Sequence, residues 1–329
     1  MNVYFDIILK TLGSGTYTRK PNGIDTISLF GYFFKHNLND GFPLLTTRKI
    51  SFKTVFSELM WMLSGDRTIN ELKKNTSIWN PWAKENGVLE SSYGRFWRSF
   101  PSPIMSISDG EKWVNERTKY VQKADNILLI DQIRYVLDNL KSNPNSRKHI
   151  VIVWHPGNAT LANVPPCPIT FVFNVKGNFI NLLVTLRSSD LSIGLPHDLA
   201  VYSLLLILVA KEVGLNPGEV AFSIVDAHIY CGQFTNNSSF YIKHLGYIQN
   251  LLKKESLKNS DLDFILHNKE RFDDIFDHIP SLLKQLNRIP KELPNLFIKK
   301  FDSIFSINFD DINIINYKPD SPINFKIVI

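Results

Sequence analysis

The chain has 329 residues, of which 44% are hydrophobic, 21% charged and 12% aromatic, and its formal net charge is +6. This composition is typical of a globular protein with a substantial core, and it excludes collagen-like and disordered chains. Two cysteines, Cys167 and Cys231, do not make a disulfide framework, so we expect a reducing compartment and place the protein in the cytoplasm. A lysine-rich surface explains the positive charge better than nucleic-acid binding does, and a mild positive potential also favours small anionic substrates.

The apolar segments predict no membrane association. Residues 1–10 carry charged side chains inside their apolar stretch, which excludes a signal peptide. The longest apolar run, residues 199–210, lies between Asp198 and Lys211 and is too short to span a bilayer. This run predicts a buried helix instead.

The first half of the chain mixes predicted helices and strands. Residues 4–12 and 52–63 repeat apolar side chains at helical spacing and end close to glycines, and Glu58 interrupts the apolar face of the second helix. Residues 26–34 predict a strand. A tryptophan-rich segment follows, and residues 131–140 then predict a helix that ends before Pro144.

The second half begins with a predicted strand at residues 149–154. Residues 169–175 and 179–186 flank Lys176-Gly177-Asn178 and predict a β-hairpin. Residues 198–213 predict a core helix, 219–229 a strand, 240–290 further helices, and the tail from Leu296 short strands. Because no linker, repeat or low-complexity segment interrupts this order, we predict a single α+β domain over residues 1–329.

Cys167 is the first candidate for chemistry, and it lies in the loop Pro165-Pro166-Cys167-Pro168. A lone cysteine is more often a small core residue than a nucleophile. Here the loop directly precedes a predicted strand, and Arg187 follows the next strand of the same hairpin. A nearby guanidinium lowers the pKa of a thiol and increases its thiolate fraction, so a nucleophile is the second interpretation.

Two cationic clusters are candidate anion sites. Arg187-Ser188 places a planar cation beside a hydroxyl, which suits a phosphate, and the alternative is a structural ion pair with Asp190. Arg147-Lys148 lies ahead of a predicted strand, and taken separately it is typical of solvated surface.

Several further polar residues are candidate site residues. Glu58 lies either on the polar edge of its helix or buried with a raised pKa, ready for proton transfer. Asp226, His228 and Tyr230 share one face of a predicted strand, which would bind a sugar hydroxyl or be polar structure. No metal-ligand spacing and no glycine-rich phosphate loop is present, so we predict no metal.

Motifs spread along most of the chain resemble the thymidylate synthases and the related deoxypyrimidine-monophosphate hydroxymethylases. They occur in the order that this family shows. The motifs are GFPLLTTRK at 41–49, SELMWMLSGD at 57–66, IW at 78–79, WA at 82–83, YG at 93–94, WR at 97–98, NSR at 145–147, PC at 166–167, RSSDLSIGLPHD at 187–198, DAHIY at 226–230 and the apolar end KIVI at 326–329.

The resemblance implies a fold, a mechanism and a set of binding residues. It implies a mixed sheet flanked by helices, and it implies that Cys167 adds to C6 of a deoxypyrimidine monophosphate while Glu58 and Tyr93 move protons. The one-carbon unit would come from 5,10-methylenetetrahydrofolate and pass to C5. Because the family shares its phosphate site between chains across the sheet, a homodimer is also implied. The implied binding residues are Arg187, Ser188, Arg147 and Lys148 for the phosphate, His228 and Tyr230 for the sugar, and Trp79, Asp190, Arg48 and Ile329 for the folate.

One departure from the family concerns the residue that reads the base. Thymidylate synthases carry asparagine where this chain has Asp198, and an amide matches the N3–H donor and O4 acceptor of uracil. A carboxyl group matches cytosine, either as a neutral acid or as a carboxylate against a protonated N3. A site built for one hydrogen-bond pattern rejects the other by on the order of 10⁴-fold, so we predict cytosine. The alternative is that Asp198 caps its own helix.

Three nearby departures bear on the same substrate. Pro168 replaces the histidine that thymidylate synthases place near the uracil O4. His197 either compensates for that loss or faces solvent from a loop. Pro21 stands where the family usually has a phosphate-binding arginine, and Arg19 or Lys20 is expected to substitute.

We therefore predict a dCMP hydroxymethylase, because relatives with aspartate at the base-reading position are chiefly enzymes of that kind. The apolar C-terminus instead resembles true synthases, so thymidylate synthesis from dUMP and methylation of dCMP stay open, as does dUMP hydroxymethylation. A non-catalytic nucleotide- or RNA-binding protein is the alternative from another class. Insertions relative to compact family members are predicted near residues 102–125 and 245–285.

Overall fold

A computed structural model describes residues 2–90, 93–102, 120–124, 127–159, 162, 164–233, 239–252 and 274–329. The helices in these ranges are α1 (Asn2–Ser14), α2 (Phe52–Ser64), α3 (Tyr93–Arg98), α4 (Gln132–Ser142), α5 (Pro156–Ala159), α6 (Gly194–Val213), α7 (Ser239–Leu252) and α8 (Ile279–Leu286). The strands are β1 (Thr16–Thr18), β2 (Ile24–Asn37), β3 (Phe100–Ser102), β4 (Val121–Ala124), β5 (Ile127–Ile130), β6 (Ile150–Ile152), β7 (Pro168–Lys176), β8 (Phe179–Leu186), β9 (Ser189–Asp190), β10 (Asn216–Gln233), β11 (Asn295–Ile298) and β12 (Ile312–Ile315).

The long strand β10 lies near the middle of a mixed sheet with the strand order β1-β2-β10-β8-β7-β6, and β9 also pairs with β10. β10 runs antiparallel to β2 and parallel to β8, and β8 runs antiparallel to β7 as the predicted hairpin requires. A parallel neighbour needs a crossover connection, which α6 supplies between β8 and β10. The mixed sheet with its packed helices confirms the α+β class.

α6 is the central helix of the core. It packs against β10, β8 and α2, and it ends at Gly214, whose φ of +75° suits glycine. By length and composition it could cross a membrane, but 72% of its most apolar stretch is buried inside the protein. This burial is that of a core helix, as the sequence predicts.

The start of α6 differs from the prediction. The helix begins at Gly194 rather than at Asp198, because Pro196 sits in the first turn, where a missing N–H costs no hydrogen bond. The N-cap residue is Ile193, so the alternative that Asp198 caps this helix is wrong. His197 therefore lies on a helix and not in a loop.

A second sheet, in the order β3-β5-β4, is not predicted by the sequence pattern. It lies in the region of the first predicted insertion, of which residues 103–119 fall outside the described residues. The second predicted insertion includes parts of α7 and α8, and its residues 253–273 also fall outside them. Both insertions stay predictions.

One face of the main sheet exposes apolar side chains. Because side chains alternate along a strand, Leu183 lies exposed on this face while Leu182 and Val184 are buried on the other. Phe33 on β2 is 61% exposed. Further exposed apolar side chains on β6 and β10 are Ile150, Ile152 and Val225. A contiguous apolar face of this kind is typical of a surface that another protein covers.

Candidate active site

Cys167 lies half-buried at the end of the proline-rich loop, directly before β7. The Arg187 side chain donates to the carbonyl oxygens of Pro165 and Pro166 over 2.8 and 2.9 Å, and its backbone N–H donates to the Cys167 carbonyl over 2.9 Å. From the opposite side, the Cys167 N–H donates to the Tyr93 hydroxyl oxygen over 3.2 Å. The end of β8 and the start of α3 thus hold the thiol in a defined position.

The surroundings of Cys167 raise the pKa of its thiol. Burial is the largest cause and the charge of Asp198 adds to it, whereas Arg187 and a hydrogen bond with Tyr93 lower the pKa by less. The prediction that Arg187 lowers the pKa is right for that one pair and wrong for the site as a whole. The raised pKa favours the thiol form of Cys167 over the thiolate.

Glu58 lies on the buried side of α2, with 3% of its surface exposed, so the interpretation as a polar edge residue is wrong. Both carboxylate oxygens accept hydrogen bonds from nitrogen donors. Trp79 Nε1 donates to Oε1 over 2.6 Å, and His197 Nε2 pairs with Oε2. Two such partners give the carboxylate a single orientation toward the centre of the site.

Asp198 projects from the first turn of α6 and interacts electrostatically with Cys167 and Glu58. Burial, followed by the charge of Glu58, raises the pKa of its carboxyl to about 7, although His197 acts in the opposite direction. Near neutral pH the carboxyl is therefore populated as a neutral acid as well as a carboxylate. The neutral form offers one donor and one acceptor.

His197 does not face solvent from a loop, which was one of the two alternatives for it. Its side chain, 19% exposed, forms an ion pair with Glu58. The other alternative, that it compensates near the base, stays a prediction. Burial alone would lower the pKa of the imidazole, but the charge of Glu58 and the hydrogen bond to it raise the pKa by more. The imidazolium form is thus favoured at this position.

A polar wall composed of Ser188, His228 and Tyr230 belongs to the same site. Ser188 Oγ lies 3.4 Å from His228 Nδ1, and the rings of His228 and Tyr230 meet edge to face with centroids 5.1 Å apart. Asp226 Oδ2 lies 3.7 Å from His228 Nδ1 and 3.6 Å from Lys20 Nζ. Lys20, one predicted substitute for the missing arginine, thereby reaches this wall.

The remaining predicted anion-binding residues separate into two groups. Asp190 accepts a hydrogen bond from the Ser192 N–H over 2.8 Å, and among the described contacts no ion pair joins it to Arg187. The structural ion pair considered from the sequence is therefore not formed. Arg147 and Lys148 are exposed between α4 and β6, and the structure does not bring them to the thiol of their own chain.

The predicted folate residues lie on two sides of the site. Trp79 meets Trp82 edge to face with centroids 5.5 Å apart, and the buried indole N–H of Trp82 has no hydrogen-bond partner within the described ranges. The guanidinium of the buried Arg48 lies 4.7 Å from the centroid of the Phe325 ring. Ile329, at the C-terminus, is 71% exposed and points largely into solvent.

Sequence reasoning missed two features of this site. The contact between His197 and Glu58 joins residues 139 positions apart, which no local pattern reveals. Tyr202 follows Asp198 by one helical turn. Its buried hydroxyl has no hydrogen-bond partner among the described residues. Burial, followed by the charge of Asp198, raises the pKa of this hydroxyl. The i, i+4 spacing would have found Tyr202. Within the described ranges, no cluster of three or more His, Cys, Asp or Glu side chains could hold a metal.

Comparison with known proteins identifies the kind of site. A family model described as thymidylate synthase matches residues 2–329. The chain is also 38% identical over 307 residues to a thymidylate synthase of Haloferax volcanii, and this match covers 89% of the chain and 86% of the relative. Both findings confirm the resemblance that the motifs predict.

Proposed function

Because the chain belongs to the thymidylate synthase family, and so is a one-carbon transferase, we propose that it transfers a one-carbon unit from 5,10-methylenetetrahydrofolate to C5 of dCMP. The product would be 5-hydroxymethyl-dCMP, formed in the cytoplasm. The observation that carries the choice of dCMP is the carboxyl group of Asp198, which shares one buried site with the thiol of Cys167.

Asp198 favours cytosine through its hydrogen-bonding pattern. As a neutral acid it donates to N3 and accepts from the exocyclic amine, and its pKa of about 7 keeps this form available near neutral pH. Against uracil the ionised carboxylate would face O4 with lone pairs on both sides. Pro168, next to the nucleophile, has neither an N–H nor a polar side chain to offer to O4. Both features disfavour uracil.

The residues around the thiol fit the chemistry of C5 transfer. Cys167 would form the bond to C6, and its raised thiol pKa means that the proton leaves during attack. Tyr93, which accepts the Cys167 N–H, lies where it can assist removal of the C5 proton. Glu58 would take up and return protons from its fixed position between two nitrogen donors.

The surfaces of the site fit the two substrates. Ser188, His228 and Tyr230 would bind the phosphate and the sugar hydroxyl, together with Arg187. The aromatic wall of Trp79 and Trp82, with its unpaired buried N–H, suits a flat heteroaromatic co-substrate such as a folate. The remaining residues proposed for the folate are Arg48, Asp190 and Ile329. When bound, the folate supplies the methylene carbon.

A homodimer is part of the proposal. Arg147 and Lys148 are exposed just before β6, which contributes Ile150 and Ile152 to the exposed apolar face. If a second copy covers this face, the two cations can reach the phosphate site of that copy. The arrangement would explain why they lie away from the thiol of their own chain.

Thymidylate synthesis from dUMP is the second candidate function. The Haloferax volcanii relative is a thymidylate synthase, and this similarity supports the second candidate more directly than it supports a hydroxymethylase. Methylation of dCMP combines the base choice that Asp198 favours with the chemistry of that relative. The alternative of a non-catalytic nucleotide- or RNA-binding protein is no longer supported, because the family to which the chain belongs is one of enzymes.

Release of tritium from C5 tests the choice of base. The purified enzyme with methylenetetrahydrofolate should release tritium from [5-³H]dCMP faster than from [5-³H]dUMP. Faster release from dUMP would replace the proposal with thymidylate synthesis or dUMP hydroxymethylation. Dihydrofolate absorbance then identifies the product, because methylation oxidises the folate and hydroxymethylation does not. A stoichiometric dihydrofolate signal with dCMP would exclude hydroxymethylation.

A further inference from the structure

Glu58 has a proposed role in proton transfer, but its partner His197 has no role of its own in that chemistry. His197 lies in the first turn of α6 and Glu58 in α2, and the imidazole Nε2 bonds to Glu58 Oε2 inside the site. Trp79 Nε1 donates a hydrogen bond to the other carboxylate oxygen, Oε1, over 2.6 Å. The imidazole and the indole therefore fix the Glu58 carboxylate from two directions.

The charged and titratable neighbours of this pair come from several elements. Asp198 follows on α6, Tyr202 lies one turn further, Asp190 ends β9, Tyr93 begins α3 and Cys167 precedes β7. All of these neighbours are acidic groups, whereas the imidazole of His197 is a base that becomes positively charged when protonated. Its attraction to Glu58 outweighs the cost of burial, so the pKa of His197 is raised.

In one-carbon transfer to C5, two different products are possible once the folate has left. The exocyclic methylene on C5 accepts either a hydride, which gives a methyl group, or a water oxygen, which gives a hydroxymethyl group. Water addition needs a base that is ionised and aimed at the water. The two nitrogen partners of Glu58 hold its carboxylate in one orientation inside the site, as a base for this step requires.

We propose that His197 is a positioning residue that holds the Glu58 carboxylate in one orientation, and that this pair directs the reaction toward addition of water. The inference rests on the proposed function and deepens it, since it assigns the choice of product to one side chain. It concerns the second half-reaction only, and the choice of base belongs to Asp198.

The water oxygen bonds to the methylene carbon while its proton passes to the Glu58 carboxylate. The electron pair of the exocyclic double bond moves into the ring, the C5–C6 double bond forms again, and the Cys167 sulfur leaves C6 as a thiolate. Transfer of the proton from Glu58 to that thiolate restores the starting enzyme.

The variants His197→Phe and His197→Gln test the assignment. Phenylalanine fills the space without a donor, whereas glutamine keeps an N–H for Glu58 but cannot carry charge. His36→Gln is the matched control, because His36 is also buried and its Nε2 bonds to the Gly41 carbonyl at 2.9 Å, away from the site. The measurements are C5 tritium release, hydroxymethyl product by mass spectrometry, and dihydrofolate absorbance, all with dCMP.

For His197→Phe we expect hydroxymethyl formation to fall by about 10- to 100-fold, as when a charged group loses a hydrogen bond. Tritium release should fall by less than about 3-fold, and His197→Gln should restore part of the product. His36→Gln should behave as the unchanged enzyme. An unchanged ratio of hydroxymethyl product to tritium release in His197→Phe would overturn the inference and leave the proposed function intact. Stoichiometric dihydrofolate from the unchanged enzyme would overturn both the inference and the hydroxymethyl product, and the dCMP assignment would survive.

A second measurement needs no turnover. In the free enzyme, NMR titration should show the His197 imidazole with a pKa above its ordinary value of about 6.5. In Glu58→Gln the pKa should fall, because burial is the largest cause and only the smaller effect of Asp198 then opposes it. A pKa that stays the same in Glu58→Gln would refute the ionised pair.

Discussion

At the scale of single residues, the proposed choice of base depends on the surroundings of Asp198. The carboxyl is surrounded by Glu58, His197 and Asp190, and burial raises its pKa to about 7. The same carboxyl raises the pKa of the Cys167 thiol. On the proposed function, base recognition and activation of the thiol are therefore coupled through one charge, and a change at residue 198 should affect both.

Asp198→Asn should change the preferred base. An amide donates and accepts at positions that match uracil, so the ratio of kcat/KM for dCMP to that for dUMP should fall by at least about 100-fold. Removal of the negative charge should also lower the pKa of the Cys167 thiol. Tritium release from both nucleotides measures the first effect, and the pH dependence of iodoacetamide alkylation measures the second. Unchanged preference would mean that Asp198 does not contact the base.

Binding of dCMP should weaken as the pH rises. The acid form of Asp198, which donates to N3, dominates below its pKa of about 7 and is lost above it. The Kd for dCMP should therefore rise by about tenfold per pH unit at higher pH. Calorimetry from pH 6 to 9 would measure this, with Asp198→Asn and dUMP as the control for titration of the phosphate. A flat profile for dCMP would contradict the neutral-acid model.

At the scale of elements, α3 packs on α2, and these two helices carry the side chains of Tyr93 and Glu58. Gly94 lies next to Tyr93, and a Cβ at this glycine would come within 2.0 Å of the Met62 carbonyl oxygen on α2. Only a glycine allows the two helices to approach so closely. Tyr93 and Glu58 owe their relative position to this contact.

Gly94→Ala should push α3 away from α2 and displace Tyr93. We expect a loss of stability of about 1–3 kcal/mol, as for other overpacked sites, together with slower tritium release. Gly246→Ala is the matched control, because a Cβ there meets nothing within 4 Å on α7 and alanine favours a helix. Urea unfolding measures the stability of both variants. If Gly94→Ala were as stable and active as the unchanged enzyme, the close approach would have no functional role.

At the scale of the whole molecule, the sheet has one face covered by helices and one apolar face exposed. Phe33 is 61% exposed on this second face. The cations Arg147 and Lys148 lie beside its β6 edge. A single chain thus exposes both an apolar surface and two cations that its own site does not use, and a dimer would account for both.

Phe33→Glu should weaken the proposed dimer, because it would place a charge in an apolar interface. Sedimentation equilibrium should show more monomer, and activity should fall with the dimer fraction. Ile289→Glu, at a side chain that is 83% exposed but far from these strands in sequence, is the control and should leave both unchanged. Mixing inactive Arg147→Ala with inactive Cys167→Ala should restore activity if the site is shared. No restoration would argue against a shared phosphate site.

Local patterns in the sequence predicted several of the helices and the hairpin, and ordered motifs identified the family. Apolar periodicity predicted α2 and the β7–β8 hairpin, because the repeat of a helix or strand depends on residues only a few positions apart. Local patterns also identified Cys167 and Glu58 as candidates, whereas Asp198 became one through the family resemblance. The local patterns misplaced the start of α6. A proline interrupts a helix except in its first turn, and the sequence does not show that Pro196 lies in that turn.

Tertiary structure alone decided the electrostatics of the site. Burial and Asp198 outweigh Arg187 at the Cys167 thiol, and His197 pairs with a carboxylate 139 positions away. The pKa of a group depends on solvent exclusion and on charges within a few ångströms, and neither follows from spacing along the chain. The sequence by itself therefore determined which chemical groups this enzyme has, and the fold decided in which protonation states and orientations they meet.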